Sequence, residues 1–220
     1  MSTNAPAKNP YHTALRYTDR ESKSRYIADK YRAILSGRVL DVGCDRRQLA
    51  AHLSATAAYT GVDMAPGADV VLNLDRDNLP FPDNSFDAVI ASDVLEHLER
   101  LHAVFDELCR VSASRVIVSL PNPVRNLMLE VSRGSEGRLK YYGLPVDPPK
   151  DRHRWFFGAE EAAHFLRERS RRMGFEVEQL DHQEKGLPAW IDPAGVDLLA
   201  STNARLGTLW CTLKKANAAD

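Results

Sequence analysis

The segment Val39-Leu40-Asp41-Val42-Gly43-Cys44, followed by Gly61-Val62-Asp63-Met64, constrains the fold more than any other part of the chain. Each half is an apolar run that ends in a turn carrying an acid. Asp41 and Asp63 stand one strand–helix–strand unit apart. A parallel βαβ unit of this kind brings its strand ends to a nucleoside-like cofactor, with the second acid set for the ribose hydroxyls. The glycines then narrow the ligand. A dinucleotide fingerprint needs Gly-x-Gly-x-x-Gly, but Gly43 is followed by Asp45 and Gln48. The loop lacks the close backbone approach a pyrophosphate requires. NAD and FAD are disfavoured, and a cofactor with an adenosine and no phosphate fits better.

With 220 residues, 44% of them hydrophobic, the chain can bury one substantial core. It is expected to form a single domain over residues 11–215, between flexible tails at 1–10 and 216–220. The 29 Lys and Arg nearly balance the 30 Asp and Glu, so no overall basic field draws the chain to nucleic acid. The basic run Arg167 to Arg172 reads as a solvated helix face. Cys44, Cys109 and Cys211 lie far apart without a C-x-x-C pair. Neither a disulfide framework nor a zinc site is expected; no metal is called for, and a reducing cytoplasm is the natural setting. The first ten residues lack the apolar stretch of a signal peptide, and no run approaches the ~20 apolar residues of a membrane span.

The patterning alternates strands and helices, which predicts an α/β sheet covered on both faces. Residues 11–36 read as one or two helices that cap the sheet, with Tyr26, Ile27, Tyr31 and Ile34 at helical spacing. Strands are expected at 38–42, up to Asp63, at 69–74, 86–91, 115–120, 175–180 and 207–213. Leu49, Ala50 and Leu53 mark a helix after the first strand, with Arg46 and Arg47 at its start. Leu98, Leu101, Val104, Phe105 and Leu108 mark another after the fourth. A further helix is expected over 159–173, stopped by Gly174. The glycines and prolines of 121–150 read as largely irregular chain, and 121–157 as a lid or substrate wall.

Asp75-Arg76-Asp77-Asn78-Leu79-Pro80-Phe81-Pro82-Asp83-Asn84-Ser85-Phe86-Asp87 and the following AVIASDVLEHL, taken with the first loop, resemble the middle of a class I S-adenosylmethionine-dependent methyltransferase. The similarity is to the small-molecule subgroup with LPFxDxSFDxV and LEH motifs. It covers roughly Val39 to Pro123, with a weaker echo in HRWFF and GF up to Phe175. The resemblance implies a Rossmann-like three-layer sandwich whose seven-stranded, mostly parallel sheet runs 3-2-1-4-5-7-6 with strand 7 antiparallel. It also implies S-adenosyl-L-methionine as cofactor and S-adenosyl-L-homocysteine as product.

On that resemblance Asp41, Val42, Gly43, Cys44, Asp63, Met64, Asp75, Arg76 and Ser92 bind the cofactor. Asp63 accepts from the ribose diol and Met64 packs on the adenine. Asp75 takes the adenine amine, the Arg76 backbone reads the ring nitrogen, and Phe81 closes the pocket. The first loop departs from the usual GCGxG, reading Gly43-Cys44-Asp45-Arg46-Arg47. Asp tolerates a positive φ, but its carboxylate would repel that of the cofactor. Arg46 or Arg47 is expected to offset it or pair with the cofactor carboxylate, unless both are solvated.

Methyl transfer to a hydroxyl needs a base, and histidine suits neutral pH. His97, beside Glu96 at the start of the helix after strand 4, is the first candidate, and His153 the second; packing is the alternative for His97. Arg152 and Arg154 match an anionic handle on the substrate, with Trp155 and Tyr26 as further substrate contacts. The acceptor is expected to be a small or carrier-linked molecule methylated at oxygen. Carbon methylation of an activated ring, or a methyltransferase-like binding module without turnover, are the alternatives. The sequence leaves the oligomeric state open.

Overall fold

The computed structural model describes residues 11–134, 139, 141–149, 151–184 and 202–217. The tail 1–10 and residues 218–220 of the second tail lie outside the described residues, as do 135–138, 140 and 150 within the expected lid. Chain entry is through α1 (Arg20–Lys30), which Asp19 caps by accepting from Ser22 N at 2.8 Å. Only this part of 11–36 is regular helix, and turns carry the chain to β1 (Arg38–Val42).

The sheet continues with β2 (Ala58–Asp63), β3 (Val70–Val71), β4 (Phe86–Ser92), β5 (Ser112–Leu120), β6 (Phe175–Glu184) and β7 (Leu206–Lys215). Its order is β3-β2-β1-β4-β5-β7-β6, with β7 antiparallel to both neighbours. The expected topology is present. Alternate residues of the central strands feed two cores, as the two-residue period of a strand requires. Leu40, Val42, Val89, Ala91, Val116 and Val118 face one side, against α2 (Leu101–Val111) and α4 (Ala159–Arg172). Val39, Ala88, Ile90, Ile117 and Trp210 face the other, against Ile27, Tyr31 and Leu35.

Four local expectations are corrected. The segment after β1 is a 3-10 turn over Gln48–His52, entered through Arg47 at φ +59, and not an α-helix begun by Arg46 and Arg47. β3 is two residues long because the Asn73 side chain turns back to accept from Asp75 N at 2.9 Å, so the strand stops well short of Asp75. Glu96 and His97 sit in a separate 3-10 turn, Leu95–His97, ahead of α2. The stretch 121–150 contains a true helix, α3 (Pro123–Ser132). Its prolines misled: Pro123 occupies the first helical turn, where no backbone N–H is needed. Asn122 caps it, accepting from Arg125 N at 3.2 Å and donating to the carbonyls of Asn203 and Leu206 at 2.9 and 2.6 Å. The asparagine thus ties α3 to α5 (Thr202–Arg205) and the start of β7.

Candidate active site

The carboxyl ends of β1, β2 and β4 meet at one edge of the sheet. At the end of β1, Gly43 adopts φ +78, and a Cβ there would come within 2.2 Å of Val94 Cγ2. Only glycine fits both the backbone and the space. Asp45 follows at φ +47, a conformation that Asp tolerates.

The loop's amides are spent internally. Gly43 N and Cys44 N both donate to Val62 O at 2.8 and 3.2 Å, and Asp45 N donates to Asp63 Oδ2 at 2.8 Å. Arg47 N donates to Cys44 O at 2.7 Å. An anion-binding turn presents such N–H groups outward; this one does not, which fits a cofactor without a pyrophosphate. Asp63 receives a second loop amide, Ala65 N on Oδ1 at 2.8 Å, and remains partly exposed. A carboxylate oxygen can accept more than one hydrogen bond, so this fixed, accessible acid retains capacity for a ribose diol. Met64 beside it is 64% exposed, an apolar surface open beside this acid.

The charge of Asp45 is offset from an unexpected direction. Arg20 of α1 forms the ion pair with it, while Arg47 pairs with Asp69 at 2.9 Å and lies over the Tyr59 ring. The expectation that Arg46 or Arg47 offsets Asp45 is therefore corrected: the neutralising cation comes from the preceding helix.

Asp41 is buried and accepts from the Tyr59 hydroxyl at 2.7 Å. Burial, opposed by that hydrogen bond and aided by the charge of Asp63, pushes its carboxyl up to about 6. A carboxyl whose folded value lies above its unfolded value favours the fold most at low pH, and that contribution is lost as the pH rises through the folded value. Asp41→Asn, which cannot ionise, should therefore gain stability over the parent between pH 4 and 7, by about 3 kcal/mol at most. Melting temperatures of both proteins across that range check this; a constant difference would contradict it.

The other expected cofactor residues are buried or have polar atoms engaged within the protein. Val42 and Cys44 are buried, and burial pushes the Cys44 thiol up to about 12. Asp75 Oδ1 accepts from Arg100 N at 3.1 Å, and Arg76 N, proposed to read the adenine ring, donates to Asn73 O at 2.9 Å. Phe81 packs edge-on against Phe86 at 4.9 Å. Ser92 Oγ lies 3.0 Å from Ser119 Oγ.

At the end of β4 the two histidines converge. The His97 and His153 rings meet edge to face, 4.6 Å between centroids. His97 Nδ1 lies 2.7 Å from Asp151 Oδ1, and its Nε2 lies 3.8 Å from Glu96 Oε1. His153 is buried, stacked on Tyr141 at 4.2 Å, with its Nδ1 2.9 Å from the Tyr142 hydroxyl. Glu96 is 1% exposed, and burial, with the charge of Asp93 adding to it, holds its carboxyl well above the usual range. Burial works to raise Asp93 as well, but Lys23, 2.5 Å away, outweighs it and keeps that acid below its ordinary value.

Three of the remaining expected substrate residues, Arg154, Trp155 and Tyr26, have structural partners. Arg154 pairs with Glu99 at 3.3 Å, and Arg152 is exposed. Trp155 donates to Leu98 O at 2.7 Å and packs on the core. Tyr26 packs against Tyr17 and Trp210 and accepts from Lys30 at 3.1 Å. Sequence reasoning passed over Arg20, Lys23, Tyr59, Tyr141, Tyr142 and Asp151. The adjacent tyrosines and the acid two positions before His153 were visible signals; the contacts from α1 left none.

Residues 16–180 match a family model described as a methyltransferase domain. The chain belongs to that methyltransferase family. None of the curated sequences compared with it matches. Among solved structures, this methyltransferase is similar to the [4+2]-cyclase SpnF, at 20% identity over 90% of this chain and 82% of that one, TM-score 0.55. This chain is similar to YcgJ of Bacillus subtilis at 17% identity over 89% and 99% of the two chains, TM-score 0.55. A SAM-dependent methyltransferase of Methanosarcina mazei aligns at 17% identity over 84% and 94%, TM-score 0.53. These likenesses carry the fold, and the cyclase among them is a reminder that the site decides the chemistry. The family implies S-adenosylmethionine as the cofactor of this methyltransferase. Among the described residues, no helix is long and apolar enough to cross a membrane.

Proposed function

We propose that this methyltransferase methylates a hydroxyl oxygen of a small or carrier-linked acceptor in the cytoplasm. The observation that carries the reading is the convergence of His97 and His153 beside buried Glu96 at the carboxyl end of β4. When bound, S-adenosylmethionine supplies an electrophilic methyl group on a sulfonium. The chain must then hold the acceptor oxygen in line with that carbon, keep water out and dispose of the hydroxyl proton. Gly43, Asp63 and Met64 fit the nucleoside half of the cofactor, and the amides on Asp63 keep its carboxylate from turning away. Asp75, Arg76 and Ser92 complete the cofactor set on the family resemblance.

His97 is placed to take the proton. Asp151 faces its Nδ1 at 2.7 Å, which steadies the ring and favours the charged imidazolium that forms. His153, anchored by Tyr141 and Tyr142, forms the wall opposite. Arg152 is the exposed cation at this rim suited to an anionic group on the acceptor. Paired acceptors test the reading: hydroxy acids and phenols against their O-capped counterparts, scored by release of S-adenosylhomocysteine. Turnover of the hydroxyl compound alone supports it. Equal turnover of the capped partner would move the reaction to carbon.

A further inference from the structure

We infer that Glu96, His97 and His153 form a site for one divalent transition-metal ion, of the Mn2+, Fe2+ or Zn2+ kind, on which the acceptor oxygen is held. This deepens the oxygen-methylation reading in the role given to the ion; ion binding itself stands on the side chains alone. One ligand atom from each of the three residues lies within 4.8 Å of the others. Ligands about 2.1 Å from a shared ion stand roughly 3–4 Å apart, so about an ångström of side-chain movement closes the set. The cysteine spacing that argued against a metal says nothing about this cluster, because its members meet only in the fold.

Three features go beyond proximity. Among the described residues, Glu96 Oε2 is buried without a hydrogen-bond partner, in a residue only 1% exposed. An unsatisfied buried carboxylate oxygen is costly, and a cation beside it removes the cost. Each histidine also faces an outer group with one nitrogen: Tyr142 is hydrogen-bonded to His153 Nδ1, and Asp151 Oδ1 lies 2.7 Å from His97 Nδ1 as an ion-pair contact outside hydrogen-bond geometry. That arrangement orients an imidazole to ligate through Nε2, with a carboxylate or hydroxyl behind it. The stack of Tyr141 on His153, 6° from parallel, holds the second ring in place.

The donor set selects the ion. Two imidazoles and one carboxylate suit borderline transition metals with positions left open, whereas Mg2+ and Ca2+ favour oxygen-only shells. Open positions would take an acceptor presenting two neighbouring oxygens, such as adjacent hydroxyls or a hydroxyl beside a carbonyl. On the ion the hydroxyl releases its proton to water. Its oxygen bonds to the methyl carbon as the carbon–sulfur bond breaks, and sulfur keeps that electron pair. His97 is then a ligand through Nε2, and the ion makes the hydroxyl acidic.

The test is direct binding. Chelator-stripped protein, titrated with Mn2+ and with Zn2+ by calorimetry and checked by elemental analysis, should take up about one ion per chain. Glu96→Gln should weaken binding by about 100-fold, and Asp151→Asn by about tenfold, while both still bind S-adenosylhomocysteine as a check of folding. No saturable binding to the parent protein, or equal affinity in Glu96→Gln, would overturn the inference. The two readings fail separately. Full oxygen methylation by ion-free protein sinks the metal and keeps the acceptor reading; ion binding with methyl transfer to carbon does the reverse.

Discussion

Asp63→Ala should weaken S-adenosylhomocysteine binding by roughly 100-fold, about 3 kcal/mol. The carboxylate serves two ends at once. It is the acid at the end of β2 that fits a ribose diol, and it holds the amides of Asp45 and Ala65, each at 2.8 Å. Removing it deletes charge-assisted hydrogen bonds to the ligand and frees the two loops that shape the pocket. Asp63→Asn separates the contributions, since an amide keeps one acceptor but must present a donor to one of two amide donors. Its loss should fall between parent and alanine variant. Isothermal titration gives all three constants, and an affinity unchanged in Asp63→Ala would remove Asp63 from the ribose.

His97→Ala should lower kcat by about 10² to 10⁴-fold while leaving the S-adenosylhomocysteine dissociation constant within about twofold. The imidazole is a third of the Glu96–His97–His153 group that follows β4, whereas Asp63 ends β2 and Met64 comes just after it. Its removal strips proton handling, whether through Nε2 directly or through an ion that Nε2 helps to hold. Single-turnover rates separate this from slow product release. A rate equal to that of the parent would show that His97 only packs its turn and would leave His153 as the base.

The parallel sheet was legible because each central strand is a short apolar run, and each run proved to be buried on both faces. The backbone of the turn after β1 was legible for a related reason. Gly43 and Asp45 both take positive φ, a geometry that residue type encodes. Prolines were weighed as breakers over 121–150, although at the start of a helix Pro123 costs nothing and Asn122 supplies the cap. β3 was read too long because apolar Val70 to Leu74 hides the turn that Asn73 makes with its own side chain.

The acceptor end was only half legible. His97 and His153 could each be picked out as suitable bases, but nothing in one dimension shows that their rings lie 4.6 Å apart or that Glu96 is buried beside them. The same holds for Arg20 and Asp45. The sequence put two arginines next to that acid, and the pair comes from the helix that precedes β1 in the chain. Charges settle by distance in space, and a neighbour in the chain has no priority.

The most direct measurement follows the methyl group itself. A single turnover with S-adenosylmethionine carrying an isotope-labelled methyl, on an acceptor offering both a hydroxyl and a reactive ring carbon, locates the label by NMR of the product. The account predicts the labelled carbon bonded to oxygen, formed at a rate that collapses in His97→Ala. Label bonded to carbon, or an oxygen-bonded product formed equally fast without His97, would contradict it.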